Sequence, residues 1–380
     1  MQIKVLIPDL PSAESLLPAL RKMDAARRYT NFGPLVQELE HLLALHWPPT
    51  STGPDTELAA LQVVTLNTGT APLELGIAAL GLPQGGEVLV PSFTFPASAS
   101  AALRNGLRPV FSDVTTDTWQ LSPAMARDIA AQRPLALVMP VATFGHPLEV
   151  AAWDDFVDDT GIPVLMDAAA AFGNQAIGRR AHASFSLHAT KPFGVGEGGL
   201  FVTRDAALAE RVRRLSNFGF ENKLVTALGT NAKLPEYAAA VGLTQWTRWP
   251  HMQAKRQSQW EAYHAWLSAL PDVRLQAGFE SGVLPASVVV ALPCKADAVR
   301  QILAQAGIES RRWYCPPLHQ HPAYAGISSV GLSGSTDLPV THDLACRGLG
   351  LPWHHLLTTE DFCLIQQTLM QALESAERTR

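Results

Sequence analysis

Short apolar runs recur along the chain, bounded by glycine, proline or small polar residues and mostly separated by longer stretches of helical period. The runs at 63–66, 87–90, 109–113, 135–141, 162–167, 184–188 and 200–203 predict strands. Between them, the segment from Pro72 carries Leu73, Ile77 and Leu80 on one helical face, and the alanine-rich stretches 97–103 and 124–131 predict further helices. Strands alternating with helices predict an α/β fold whose sheet is mostly parallel and covered by helices. From about Gln245 the texture changes to tryptophan-rich helical sequence, followed by a strand at 286–291, a helix at 296–305 and a terminal helix from near Thr359. This predicts a large domain over 1–244 and a smaller α+β domain over 245–380, with the N-terminal segment free to pack on the latter. The run Pro48 to Pro54 predicts an exposed loop.

Composition narrows the class. Hydrophobic residues make up 47% and charged residues 17% of 380, which suits a folded enzyme with a sizeable core rather than a disordered chain. A formal charge of −5 with no basic run gives nucleic acid little to bind. The first 20 residues are broken by Pro8, Pro11 and charges, and no apolar span reaches membrane length, so a cytoplasmic protein without a membrane partner is expected. The four cysteines, Cys294, Cys315, Cys346 and Cys363, lack Cys-x-x-Cys spacing and read as reduced thiols. His319, His321, His354 and His355 lack metal-ligand spacing, and no metal is expected.

In open α/β sheets ligands sit at the carboxyl ends of the strands. Four such ends carry matched chemistry. Asn67-Thr68-Gly69-Thr70-Ala71-Pro72 turns from strand to helix through small residues, where backbone N–H groups, the helix dipole and the hydroxyls of Thr68 or Thr70 can hold a phosphate; a plain N-cap is the alternative. Asp167 ends an apolar run, either to cap the next helix or to pair with a protonated pyridine nitrogen. Ser186 can donate to a phosphate and, if the strand continues, shares a face with His188. In Pro-Ser-Phe-Thr-Phe, Phe93 or Phe95 can stack on a planar ring or fill the core.

Lys191 lies just beyond, in Ser186-Leu187-His188-Ala189-Thr190-Lys191-Pro192-Phe193-Gly194-Val195-Gly196-Glu197-Gly198-Gly199. Lysine is mostly a surface residue, but an amine desolvated beside a flexible glycine run can form a Schiff base with a carbonyl cofactor. Gly194, Gly196 and Gly199 match Gly-x-Gly-x-x-Gly, yet they lead into a strand rather than a helix, which excludes a dinucleotide fingerprint. A P-loop fails because its lysine follows the glycines.

Together with Asn-Thr-Gly-Thr-Ala, Pro-Ser-Phe-Thr-Phe and Asp-Ala-Ala, the lysine segment resembles the DegT/StrS nucleotide-sugar aminotransferases, pyridoxal 5'-phosphate enzymes of fold type I. The resemblance runs from Asn31-Phe32-Gly33-Pro34 through Asn217-Phe218-Gly219-Phe220 and the segment ending Asn231-Ala232-Lys233-Leu234-Pro235-Glu236 to Pro316-Pro317-Leu318-His319, and is similar in detail to the dTDP-keto-deoxysugar branch. It implies that Lys191 bonds covalently to the cofactor and moves the substrate proton. It further implies that Asp167 pairs with the ring nitrogen, Phe95 stacks on the ring, and Gly69, Thr70, Ala71 and Ser186 hold the phosphate. Asn231 would reach the cofactor of a neighbouring subunit, giving a homodimer with shared sites, and His188, Tyr314 and His319 would face the substrate. The implied reaction carries nitrogen from an amino acid, by implication glutamate, to a nucleotide-linked keto-sugar. Two alternatives accompany it: a cofactor-binding member with lost catalysis, and a sugar dehydratase, which Lys191 opposes because such enzymes generally carry histidine there. The departure from the family pattern is Ala170, where histidine or glutamine usually contacts the ring oxygen and alanine cannot.

Overall fold

A computed structural model describes residues 2–45, 47, 59–279, 282–331 and 334–377. The run Pro48 to Pro54 lies outside the described residues. Helices α1 (Ala13–Ala26) and α2 (Pro34–Leu45) precede the first strand, β1 (Gln62–Leu66). The chain then alternates through α3 (Ala71–Leu80), β2 (Glu87–Pro91), α4 (Pro96–Arg104), β3 (Arg108–Ser112), α5 (Pro123–Ala130), β4 (Leu135–Val138), α6 (Val150–Thr160) and β5 (Leu165–Asp167). Strands β6 (His182–Ser186) and β7 (Gly199–Thr203) follow, then α7 (Ala206–Leu215), a small hairpin of β8 (Phe220–Glu221) and β9 (Leu224–Val225), and the long α8 (Glu236–Leu267). The remainder comprises β10 (Arg274–Leu275), β11 (Val289–Ala291), α9 (Ala296–Gln305), β12 (Ser329–Val330), α10 (Pro339–Arg347), β13 (Gly348–Gly350) and α11 (Thr359–Glu377).

Two four-stranded ribbons, β1-β7-β6-β5 and β12-β3-β2-β4, join through the parallel bridges Val138↔Val164 and Val141↔Asp167 into one continuous sheet. Within it β7 alone runs antiparallel to its neighbours β1 and β6. Period-2 alternation feeds two apolar layers: Val63, Leu89 and Val202 pack on one side with Leu39, Trp153 and Phe185, while Val64, Val88, Val90 and Phe201 pack on the other with Ile77 and Val212. Strands buried on both faces explain why the sequence shows continuous apolar runs rather than clean alternation.

Several strand ends differ from expectation. β4 stops at Val138 because Pro140 cannot donate to the ladder, and β6 begins at His182 and stops at Ser186, leaving His188 on the following turn with only a bridge to Gly196. The expected strand at 286–291 is ordered as such only over β11.

The second half gathers β10-β11-β13 as an antiparallel sheet with α9 and α11 against it, around a core that includes Trp260, Tyr263, Val290, Leu303 and Ile365. Ile3 pairs with Ile308 and belongs to that core. Helix α8 passes unbroken through residues 244 and 245, and β12 returns to the main sheet beside β3. No helix among the described residues is long and apolar enough to cross a membrane.

Candidate active site

Asp167 is the last residue of β5, where the apolar run delivers it to the carboxyl edge of the sheet. It is almost fully buried, and its carboxylate is held from two sides: Ser98 Oγ of α4 donates to Oδ2 at 2.6 Å, and the backbone N–H of Ala169 donates to Oδ1 at 3.1 Å. Burial pushes the carboxyl above its usual range, and these two hydrogen bonds and the charge of Lys191 oppose that shift. A carboxylate so placed is costly unless a cation faces it.

Lys191 sits on a tight turn after β6, its backbone N–H bonded to His188 O at 2.8 Å. The turn is pinned from below by Phe193, which is fully buried and stacks on Phe172 at 4.5 Å. Burial lowers the affinity of the Lys191 amine for its proton, and the Asp167 carboxylate acts in the opposite sense. Its neutral form is therefore more accessible than that of a surface lysine.

Gly69 and Ser186 make a cradle. A Cβ at Gly69 would overlap Ser186 Oγ, so only glycine lets the 67–70 turn lie against the end of β6. Thr68 Oγ1 accepts the N–H of Ala71 at 3.2 Å, which leaves Thr70 opening α3 without a side-chain cap. The glycine run matters for the same reason: Gly196 has φ of +101°, and β7 begins at Gly199, which confirms that these glycines open no helix.

These groups surround a cavity of about 540 Å³ lined by Gly69, Thr70, Phe95, Asp167, Ser186, His188, Lys191 and Tyr314, with Ala170 in the same wall. The two aromatic candidates separate: Phe93 is fully buried, whereas Phe95 is 59% exposed at the cavity. His188 Nδ1 accepts from the Thr190 N–H at 3.2 Å, so in the neutral ring the proton sits on Nε2, 3.7 Å from Glu197. Tyr314 stacks on Phe144 at 5.6 Å, and burial raises its hydroxyl well above the usual phenol range.

Three candidates lie off the cavity wall. Ala71 is the first residue of α3, packed into the core, and donates its N–H to Thr68 Oγ1 rather than to the cavity. His319 is taken up by Ser92 Oγ at 2.7 Å and His342 Nε2 at 2.9 Å. Asn231 is exposed beside the β8–β9 hairpin, where Oδ1 accepts from Lys233 Nζ at 2.7 Å. Sequence reasoning missed Ser98, whose partner is known only once α4 packs on β5, and missed Arg311 and Trp313 in the cavity wall. Among the described residues, no three His, Cys, Asp or Glu gather as a metal site.

The model of the DegT/DnrJ/EryC1/StrS aminotransferase family matches residues 12–370. The chain is 32% identical to the dTDP-3-amino-3,4,6-trideoxy-alpha-D-glucose transaminase of Streptomyces venezuelae, covering 80% of this chain and 82% of that one. In structure it is similar to a putative PLP-dependent aminotransferase from Bacillus cereus, with a TM-score of 0.86 and 29% identity over 98% of this chain and 100% of the other. It is also similar to DesI solved in the presence of its TDP-sugar product, with a TM-score of 0.84 and 32% identity over 100% and 95% of the two chains.

Proposed function

Because the chain belongs to the DegT/DnrJ/EryC1/StrS aminotransferase family, we propose that it binds pyridoxal 5'-phosphate and carries an amino group from glutamate to a nucleotide-linked keto-deoxysugar. The products are then 2-oxoglutarate and the amino-sugar nucleotide. The observation that carries this reading is the placement of a desolvated amine, Lys191, and a buried carboxylate, Asp167, in one cavity with the Gly69–Ser186 cradle.

The residues present fit the cofactor. The Gly69 turn, Thr70 and Ser186 Oγ would hold its phosphate, with the start of α3 supplying a positive dipole end. Asp167, fixed by Ser98 and Ala169, would face the ring nitrogen and keep its positive charge. Phe95 would cover the ring. When bound, the cofactor supplies an electron sink for the carbon that bears the transferred nitrogen. Lys191 Nζ would take the proton from that carbon and deliver it to the cofactor, a task that its lowered proton affinity favours. His188 and Tyr314, in the cavity wall, would orient the sugar. In the homodimer we propose, Asn231 reaches across to the phosphate held by a second copy.

Ala170 gives a second reading its footing: the cavity wall offers no side-chain hydrogen bond there, as in a cofactor-binding member that no longer turns over. One experiment decides. Purified protein should be yellow, lose its colour with glutamate and form aminated product when a dTDP-keto-deoxysugar is added; colour that glutamate leaves unchanged supports the second reading.

A further inference from the structure

A second cavity, of about 170 Å³, abuts the first and shares Leu6, Thr190, Lys191 and Ala286 with it. Its far wall comes from α8 and from the segment that precedes α11, and it is basic: the cations Arg248, Lys255 and Arg256 line it together with His354 and His355, whose proton affinity burial lowers. Among the described residues in its lining the single carboxylate is Asp9, which Arg248 Nη2 already engages at 2.5 Å. Lys255 and Arg256 therefore face this space without a carboxylate of their own.

The hydrogen-bond inventory has the same sign. Arg256 donates from Nη2 to Pro285 O at 2.7 Å, but its buried Nε–H has no partner. His354 Nδ1 accepts the Leu356 N–H at 3.2 Å, which puts the proton of the neutral ring on Nε2, and that buried N–H makes no well-aligned hydrogen bond, although the Lys4 backbone lies close enough to favour the protonated ring. His355 Nδ1 is buried and lies 4.0 Å from Asp9, outside hydrogen-bond distance. Buried donors left unpaired cost free energy, so such a set calls for an acceptor.

We propose that this cavity holds the distal carboxylate of a dicarboxylic amino donor while its amino end lies at Lys191 in the neighbouring cavity. Size selects among anions: drug-sized ligands occupy pockets of roughly 300–1,000 Å³, so the smaller space is too tight for a nucleotide, and the larger one is left for the sugar substrate. The inference rests on the proposed aminotransferase reaction and adds to it the residues that choose the donor.

The test compares wild type with two variants. His354→Asn keeps an acceptor near Leu356 N and removes the Nε2–H; Lys255→Glu reverses a charge at an exposed position. Calorimetry with glutarate, which has both carboxylates and no amino group, reads the cavity without turnover. Steady-state kinetics with glutamate and with alanine read donor choice. Glutarate affinity falling about tenfold in both variants, with KM for glutamate rising by a similar factor and KM for alanine unmoved, is expected from the loss of one hydrogen bond to a charged group in His354→Asn and from the like charge placed beside the carboxylate in Lys255→Glu. Unchanged glutarate binding in both variants, or KM values for glutamate and alanine that rise together, overturns the proposal. Inorganic phosphate that binds as tightly as glutarate while KM for glutamate stays fixed in the variants also overturns it, as a general small-anion site. A wild type that makes no amino-sugar with any donor refutes the proposed function instead, and the glutarate calorimetry still reports on the cavity.

Discussion

At Asp167 both carboxylate oxygens have donors 2.6 and 3.1 Å away, and the loop carrying Lys191 is anchored by a fully buried Phe193. Around the β8–β9 hairpin the reverse holds: Phe218, Phe220, Leu224 and Val225 are exposed, and Leu228 is 98% so, beside the exposed Asn231. One region is completed by this chain alone, through buried polar groups that are satisfied within it. The other presents an apolar surface of the kind that marks an interaction site, which is why the reacting centre can be read from a single chain while the rim is assigned to a second copy only as a proposal.

The comparison can be broken at its buried end first. Asp167→Asn should lower turnover by about 10²–10³-fold, the range for removing one preorganised electrostatic partner, with the fold retained. The same variant should stabilise the cofactor-free protein. Burial raises the folded-state pKa of Asp167 above its ordinary value of 3.8, so its contribution is fully present at low pH and is lost as pH rises through the folded-state pKa. At neutral pH the asparagine variant should therefore melt higher than wild type without cofactor, and the gap should close on acidification; thermal melts across pH check this. Equal melting temperatures at neutral pH would show that Asp167 is not strained by its burial.

Gly69→Ala should weaken cofactor binding by about 10–100-fold, the effect of overpacking a tight contact, since the new methyl meets Ser186. Adding Ser186→Gly should recover part of the loss, because the clash is removed although a phosphate donor goes with it; dialysis against known cofactor concentrations measures both. At the exposed end, Leu228→Asp should raise the dissociation constant for self-association by about tenfold while leaving melting temperature unchanged, read by sedimentation. A monomeric wild type would remove the basis for the shared site. The smallest effect is expected at Ala170→His, which adds a ring contact: cofactor affinity stays the same and turnover rises by about threefold, within the range of one hydrogen bond.

Much of this was legible because the chemistry follows strand ends. Asn67 to Ala71, Phe95, Asp167 and Ser186 all lie just past or at the ends of apolar runs, and the fold brings those ends to one edge. What could not be read is what depends on packing between distant segments. Ser98 is one of two serines in an alanine-rich helix, and nothing local marks it as the partner of Asp167. His188 was placed on a strand face that ends two residues earlier, because the turn carrying Lys191 begins there. The Asn31-Phe32-Gly33-Pro34 and Pro235-Glu236 motifs stand far apart in the chain yet meet: the buried Glu236 carboxylate accepts the N–H groups of Leu35 and Val36 at 2.8 and 2.9 Å and caps α2. Two signatures that resemble functional motifs thus have a structural task, which periodicity does not reveal.

The central claim is that Lys191 is the amine that binds the cofactor and moves the proton. The most direct measurement is the visible absorbance of purified wild type and Lys191→Ala, each supplied with pyridoxal 5'-phosphate, before and after glutamate. Wild type should be yellow and bleach with glutamate, whereas Lys191→Ala should lack the protein-bound band after reduction with borohydride and dialysis, with turnover reduced by roughly 10²–10⁴-fold or more. A Lys191→Ala protein that retains covalently attached cofactor after reduction, or that bleaches at the wild-type rate, would contradict the account.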